Sequence, residues 1–247
     1  MENDPWKILR KYTHARVAMG RAGNAVPTEE LLKFKMDHAQ AQDAIHSSLD
    51  MDGLNASFQA MGLQTHRVHS QVLDITDYLR NPVKGKILND QSILHLQALT
   101  NERSDVCIIV TDGLSANAVN LNAVKIVERL IPLLAGWILS PIIIAKYGRV
   151  ALSDPIGESL QANIALILIG ERPGLSSQTS MGAYLTYRPQ TGNTDEKRNC
   201  VSNIQPEGLS YELAAGKISY LLHQMRAKQL SGVQLKDDGI DVYPNIE

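Results

Sequence analysis

The spacing of apolar residues changes along the chain, and the change divides it into two parts. Over residues 28–49, Phe34, Ala41, Ile45 and Leu49 recur at helical spacing, with His38 on the same stripe. Thr28 is placed to cap this helix. Glu29 and Glu30 put carboxylates in its first turn, where the helix dipole favours negative charge. A weaker helical pattern continues through NASFQAMGL, so residues 1–62 read as a small helical N-terminal domain that ends near Gly62. Beyond it, HRVHSQV and DITDYL read as short strand-like or irregular pieces. Asn81-Pro82 and Gly85 mark a turn, and SILHLQALTNE reads as a helix.

The pattern is sharpest after residue 104. DVCIIVT (105–111) is short, apolar and rich in β-branched residues, as a strand buried on both faces requires. SPIIIAKYG, NIALILIG (163–170) and GAYLTY (182–187) repeat it. Helical stretches alternate with these strands. One covers residues 116–139 and is kinked or split near Pro132, where proline removes a helical hydrogen bond. Another is SDPIGESLQA, with Ser153 or Asp154 as its cap and Pro155 early in the helix. Residues 210–230 form an amphipathic helix whose buried stripe is Tyr211, Ala214, Ile218, Leu221, Leu222 and Met225. Ser210 can start it, and Gly232 sits where a C-terminal cap belongs. Strands alternating with helices predict an α/β domain over residues 63–247, built on a doubly wound, mainly parallel, Rossmann-like sheet. The last twelve residues, KDDGIDVYPNIE, read as a loose tail.

Composition narrows the class. The 247 residues are 44% hydrophobic but only 5% aromatic, so the core must be aliphatic. A net charge of -2, with basic and acidic residues interspersed, leaves no electrostatic footprint for nucleic acid or for a membrane surface. The opening residues lack the apolar core of a signal peptide. The most apolar run, residues 130–145, is too short to span a bilayer and is interrupted by Pro132 and Pro141. A soluble cytoplasmic protein is the expectation. Two cysteines, Cys107 and Cys200, do not suggest a disulfide scaffold, and Cys107 lies in the apolar run VCIIV as a buried thiol.

Self-contained catalytic motifs are missing. The chain has no G-x-x-x-x-G-K-[ST], no G-x-G-x-x-G after a strand, no C-x-x-C, no H-E-x-x-H and no G-x-S-x-G. His66 and His69 are close in sequence, but without Cys or carboxylate companions they are a poor metal signal. No catalytic residue and no metal ligand are assigned. What remains is three loops at strand ends, TDGLS, YGRV and GERPG, in the position where open α/β sheets bind ligands. In TDGLS, Asp112 or Ser115 reads as a helix cap more readily than as a ligand contact. YGRV offers backbone contact near Val150, or is an ordinary strand exit. In GERPG, Gly170, Pro173 and Gly174 shape a tight turn that holds Glu171 and Arg172 at the mouth. Glu171 is then an acceptor for ligand amides or hydroxyls, or half of a plain surface turn. Cys200 in RNCVSNI reads by itself as a small hydrophobe in a loop or strand end, and His38 as a packed or partner-facing side chain.

The blocks ARVAMGRAG, LLKFKMDHAQAQDAI, VTDGLSANAV, KYGRVALSDPIGE, LILIGERPGL and RNCVSNIQPEG occur in this order between residues 13 and 232. Together they resemble the small (light) subunits of adenosylcobalamin-dependent ethanolamine ammonia-lyase. The resemblance implies a bacterial enzyme of two subunits, six copies of each, that converts ethanolamine to acetaldehyde and ammonia by a radical mechanism begun by Co–C homolysis. The large subunit, a TIM-type barrel, would carry the substrate chemistry, and the corrin of adenosylcobalamin would lie between the two chains. Matched by motif, the cofactor contacts fall on Val150, Glu171 and Cys200, with Cys200 a contact and not a cobalt ligand. The absent D-x-H-x-x-G motif agrees with a cofactor that keeps its own dimethylbenzimidazole on cobalt. Some members carry a longer N-terminal extension that directs them into a bacterial microcompartment. Here only about a dozen residues precede the match, short of that extension. YLRNPVKGKIL, in the region near residues 77–87, departs from the related stretch. The alternative to a lyase subunit is a stand-alone cobalamin-binding or accessory module. A nicotinamide enzyme is disfavoured by the missing glycine fingerprint.

Overall fold

A computed structural model describes residues 5–13, 15–99 and 103–236. The expected tail from residue 237 and the end of the SILHLQALTNE helix at residues 100–102 lie outside the described residues. In chain order the main elements are α1 (Thr28–His46), α2 (Met51–Ala60), β1 (Thr65–His69), α3 (Ile75–Arg80), α4 (Asp90–Leu99) and β2 (Val106–Thr111). Then come α5 (Ala116–Leu130), β3 (Ile142–Lys146), α6 (Ser153–Ser159), β4 (Ile164–Gly170), β5 (Met181–Tyr187), β6 (Arg198–Ile204) and α7 (Tyr211–Lys228).

The six strands form one mixed, mostly parallel sheet in the order β1-β3-β2-β4-β5-β6. β1, β3, β2 and β4 run parallel, and β5 and β6 extend the sheet antiparallel. Every residue of β2 and β4 is buried, as strands covered on both faces demand. Alternation sorts their side chains. Val106, Ile108 and Val110 join Leu54 and Phe58 of α2 and the apolar stripes of α5 and α7 in one cluster. Cys107 and Ile109 join Leu96 of α4 and Ile156 of α6 in the other. The β2-to-β3 and β3-to-β4 connections therefore place α5 and α6 on opposite faces. The thiol of Cys107 is buried and pushed up to about 12 by its apolar surroundings.

Several local expectations are corrected. Thr28 is the first helical residue and makes no cap; Pro27 precedes it. α1 stops at His46, and a new helix starts at Met51, capped by Asp50, whose side chain accepts from Gly53 N–H. Within α1 only Ala41 and Ala44 are buried, while Phe34 is exposed and His38 stacks beside it. HRVHS forms β1, but DITDYL contributes a helix, α3, capped by Asp74. α5 passes into a 3-10 turn at Ile131–Leu134 that carries Pro132, and residues 135–139 are not helical. Neither Ser153 nor Asp154 caps α6, because the 3-10 turn Val150–Leu152 runs straight into it. Ser153 Oγ donates to the Val150 carbonyl, and Asp154 turns to Arg198. Gln229, in the left-handed region at φ 54°, caps α7 in place of Gly232. Ser210 does cap its start, and the predicted stripe from Ala214 to Met225 is buried. RNCVSNI, expected as a loop or strand end, is the whole of β6.

Candidate functional site

The three predicted loops lie side by side at the carboxyl ends of β2, β3 and β4, and one buried carboxylate ties two of them together. Asp112 Oδ2 accepts from Tyr147 N–H at 2.9 Å, and Oδ1 accepts from Gly113 N–H and Gly148 N–H, each at 3.1 Å. Burial raises the Asp112 pKa to about 6, against the opposing pull of these hydrogen bonds. Ser115, not Asp112, caps α5 by accepting from Ala118 N–H. Gly113 holds φ +58°, and a Cβ there would sit 2.3 Å from the Gly170 carbonyl oxygen, so only glycine lets the first and third loops touch.

YGRV is braced from outside the sheet. Tyr78 Oη donates to the Gly148 carbonyl at 2.9 Å, and Arg149 N–H donates to the Gly85 carbonyl at 2.7 Å. The Arg149 guanidinium lies 4.0 Å from the Tyr78 ring centroid, a cation–π contact. The segment around Tyr78 and Gly85 is thus packed on the loop that presents Val150. Val150 is half-buried and rests against the apolar cluster on the α4 and α6 face.

Glu171, at the start of GERPG, is planted on the neighbouring strands. Its N–H donates to the Ser180 carbonyl at 3.0 Å. Its Oε1 accepts from Ser202 Oγ at 2.5 Å, and Oε2 accepts from Ser180 Oγ and from Asn203 N–H at 3.3 Å. A carboxylate has about four acceptor positions, so after these three bonds some capacity is left for a ligand donor. Gly182 lies under this carboxylate, and a Cβ there would be 3.0 Å from Oε1. Cys200 pairs across the sheet with Tyr184, so the two side chains are neighbours on one face. Burial, followed by Cys200 and Glu171, raises the Tyr184 pKa. Tyr184 packs on the same apolar cluster as Val150.

The structure therefore places Val150, Glu171 and Cys200 on one face of the sheet, the face of α4 and α6. Around β6 that face is open, since Cys200 and Ser202 are exposed, whereas Val201 and Ile204 on the other side are buried in the cluster that includes α7. Ser180, Gly182, Tyr184 and Ser202 belong to this surface and were not singled out in the sequence. The alternation of GAYLTY carried a signal, because Gly182 and Tyr184 share a face at period two. Among the described residues no group of three or more His, Cys, Asp or Glu could hold a metal ion. The surface has the parts to seat a broad ligand with an apolar face and hydrogen-bonding rim: an open antiparallel strand pair, a glycine, an apolar contact further along the sheet at Val150 and fixed polar atoms at the edge.

Such an arrangement defines a class, an α/β chain that presents one open wall of a ligand site from its strand ends and its antiparallel margin. The comparisons with known proteins make the assignment particular. The model of the ethanolamine ammonia-lyase light chain (EutC) family matches residues 3–236. The chain is 46% identical over 240 residues to the ethanolamine ammonia-lyase small subunit of Xanthomonas campestris pv. campestris, covering 95% of this chain and 88% of that one. It is 47% identical over 234 residues to the small subunit of Rhodopseudomonas palustris, covering 94% and 90%. Against that of Bradyrhizobium diazoefficiens it is 47% identical over 243 residues, covering 97% and 93%. The chain belongs to the ethanolamine ammonia-lyase light-chain family, as its sequence blocks implied.

Proposed function

We propose that this chain is the small subunit of a two-subunit, adenosylcobalamin-dependent ethanolamine ammonia-lyase, and that the open face around β5 and β6 is its share of the cofactor site. The observation that carries the reading is that Glu171 and Cys200, far apart in sequence, share the open face at β5 and β6, with Val150 on the same side of the sheet beyond the end of β3. The residues fit a corrin in chemical kind. Val150 and the Tyr184 ring offer apolar contact, and Gly182 leaves the backbone close to the surface. Glu171 accepts from rim amides, and Cys200 touches the ring edge without ligating cobalt. When bound, the cofactor supplies the homolysable Co–C bond that starts radical deamination of ethanolamine to acetaldehyde and ammonia. This chain's residues orient the corrin and exclude water from one side of it. A large barrel subunit supplies the opposite wall and the substrate site, in an assembly of six copies of each chain. Placement of α5 and α6 on opposite faces supports the doubly wound, Rossmann-like reading of the parallel half of the sheet. Among the described residues no helix is long and apolar enough to cross a membrane. A bacterial cytoplasmic location goes with this reading.

The test is co-expression with a large subunit of the family, addition of cobalamin, and a visible spectrum before and after ethanolamine. Bound cofactor whose spectrum changes on substrate addition is expected. A chain that neither co-purifies with the large subunit nor changes cofactor retention overturns the reading in favour of a stand-alone module.

A further inference from the structure

Two imidazoles at the β1 edge, across the sheet from β5 and β6, stand at chelating distance. His66 lies on β1, the edge strand, on the side that carries Val68 into the α4 and α6 cluster. His95 lies on α4, which packs over that strand. His66 Nδ1 and His95 Nε2 are 3.2 Å apart, and the rings meet edge to face with centroids 5.1 Å apart. One proton shared between two neutral rings accounts for this contact. The spacing also suits a metal ion. Bonds of about 2.0–2.1 Å from each nitrogen put the two nitrogens about 2.9 Å apart at a right angle and about 3.3 Å apart at a tetrahedral angle. The observed separation falls between these values.

We propose that His66 and His95 form a binding site for a divalent transition-metal ion of the copper, nickel and zinc group, which clips α4 to the edge strand. Imidazole nitrogens select this group, and the order of affinities puts Cu²⁺ first. Water completes the coordination. Binding requires a change of tautomer, with His66 carrying its proton on Nε2 and His95 on Nδ1, and a turn of the rings that brings both lone pairs onto the ion. Both near nitrogens then present lone pairs, and two neutral rings release no net proton. Burial and the neighbouring His95 lower the His66 pKa, which helps to keep that ring neutral. His95 is exposed and lines an open cavity with Arg67, His69 and Ser92, so an ion reaches it from solvent. The site lies at the β1 edge of the sheet, across it from β5 and β6 with Glu171 and Cys200, and it does not depend on the function proposed for those strands.

The experiment is a titration of the tag-free full chain with Cu²⁺, Ni²⁺ and Zn²⁺, followed by calorimetry and, for Cu²⁺, by electron paramagnetic resonance. One saturable ion is expected, with nitrogen hyperfine structure from two imidazoles and a raised melting temperature. H66Q and H95Q should each weaken binding at least about tenfold, the scale on which even supporting partners of a metal ligand act. H38Q, on the exposed face of α1, should bind as the parent does. Both test substitutions are at solvent-accessible positions, and circular dichroism checks that the fold is kept. Equal binding by H66Q and H95Q, loss in H38Q as well, or dissociation constants no tighter than about 1 mM would each overturn the site and leave only adventitious binding to surface histidines.

Discussion

At the residue scale the proposed cofactor face is set before any ligand arrives. Glu171 is held by Ser202, Ser180 and the Asn203 N–H, so little ordering is left for binding to impose. Glu171→Gln replaces one acceptor oxygen by an NH2 that faces a donor. Cobalamin affinity should fall about 10- to 100-fold, the 1–3 kcal/mol typical of an unmet buried polar group, while the subunits still assemble. Ser202→Ala should cost less, about 0.5–1.5 kcal/mol, because the carboxylate keeps its other partners. Spectral titration of the complex measures both, and unchanged affinity in the Gln variant removes Glu171 from the site. Asp112 gives a different prediction. Its folded pKa is raised from 3.8 to about 6, chiefly by burial. The folded state therefore holds the proton more firmly than the unfolded state. This contribution to stability is complete below about pH 4 and is lost as pH rises through about 6. Asp112→Asn should flatten that slope relative to the parent when urea midpoints are compared between pH 4.5 and 7. The parent comparison is needed because Glu158 and Asp77, with lowered pKa values, slope the opposite way. Glu171 was legible in the sequence because glycines and a proline frame it. Its partners were not, since Ser180 and Ser202 stand 9 and 31 residues away and only strand pairing brings them together.

At the element scale, what could be read depended on how many faces an element buries. VCIIVT and IALILIG are covered on both sides, and an unbroken apolar run has few other homes than a central strand. β6 buries one face only. Its exposed Cys200, Ser202 and Asn203 dilute the apolar pattern, and the seven-residue strand was read as a loop or strand end. α3 has six residues, fewer than two helical turns, so no period could show. Its cap at Asp74, accepting from Asp77 N–H, was the better signal. The antiparallel run of β5 was also hidden, since side-chain alternation does not record strand direction. β6 is anchored where it begins. The Arg198 guanidinium pairs with Asp154 of α6 at 2.6 Å and 3.0 Å, both side chains being 2% exposed. Arg198→Met strands a buried carboxylate and should destabilise the chain by about 3–5 kcal/mol in denaturant unfolding. The double variant Arg198→Met with Asp154→Leu should recover much of that loss, since the uncompensated charge is gone. A single-variant cost below about 1 kcal/mol, the scale of an exposed pair, would show that the bridge does not anchor the strand.

At the scale of the whole molecule, the sheet divides the surface into parts with different fates. One face of the β5–β6 margin is sealed against the α7 side, and the other presents Cys200, Ser202 and the edge of Tyr184 to solvent. At the other extreme of the chain, Leu31, Leu32, Phe34 and Met36 of α1 are exposed, with Trp6, Ile8 and Leu9 of the 3-10 helix Pro5–Lys11. Apolar exposure on this scale marks surfaces that partners cover. A ligand site normally buries about 70–90% of its ligand, and one open strand pair can touch only one side of a corrin. The chain alone should therefore bind cobalamin weakly, and addition of the large subunit should tighten binding at least about tenfold, since the second wall removes the remaining surface from water. Equilibrium dialysis of cobalamin against the chain alone, the large subunit alone and the complex separates the contributions. Binding by the complex should exceed that of either subunit, and Glu171→Gln should lower it in the complex. If the large subunit alone binds as tightly as the complex, the open face of β5 and β6 contributes nothing, and the convergence of Val150, Glu171 and Cys200 needs another explanation.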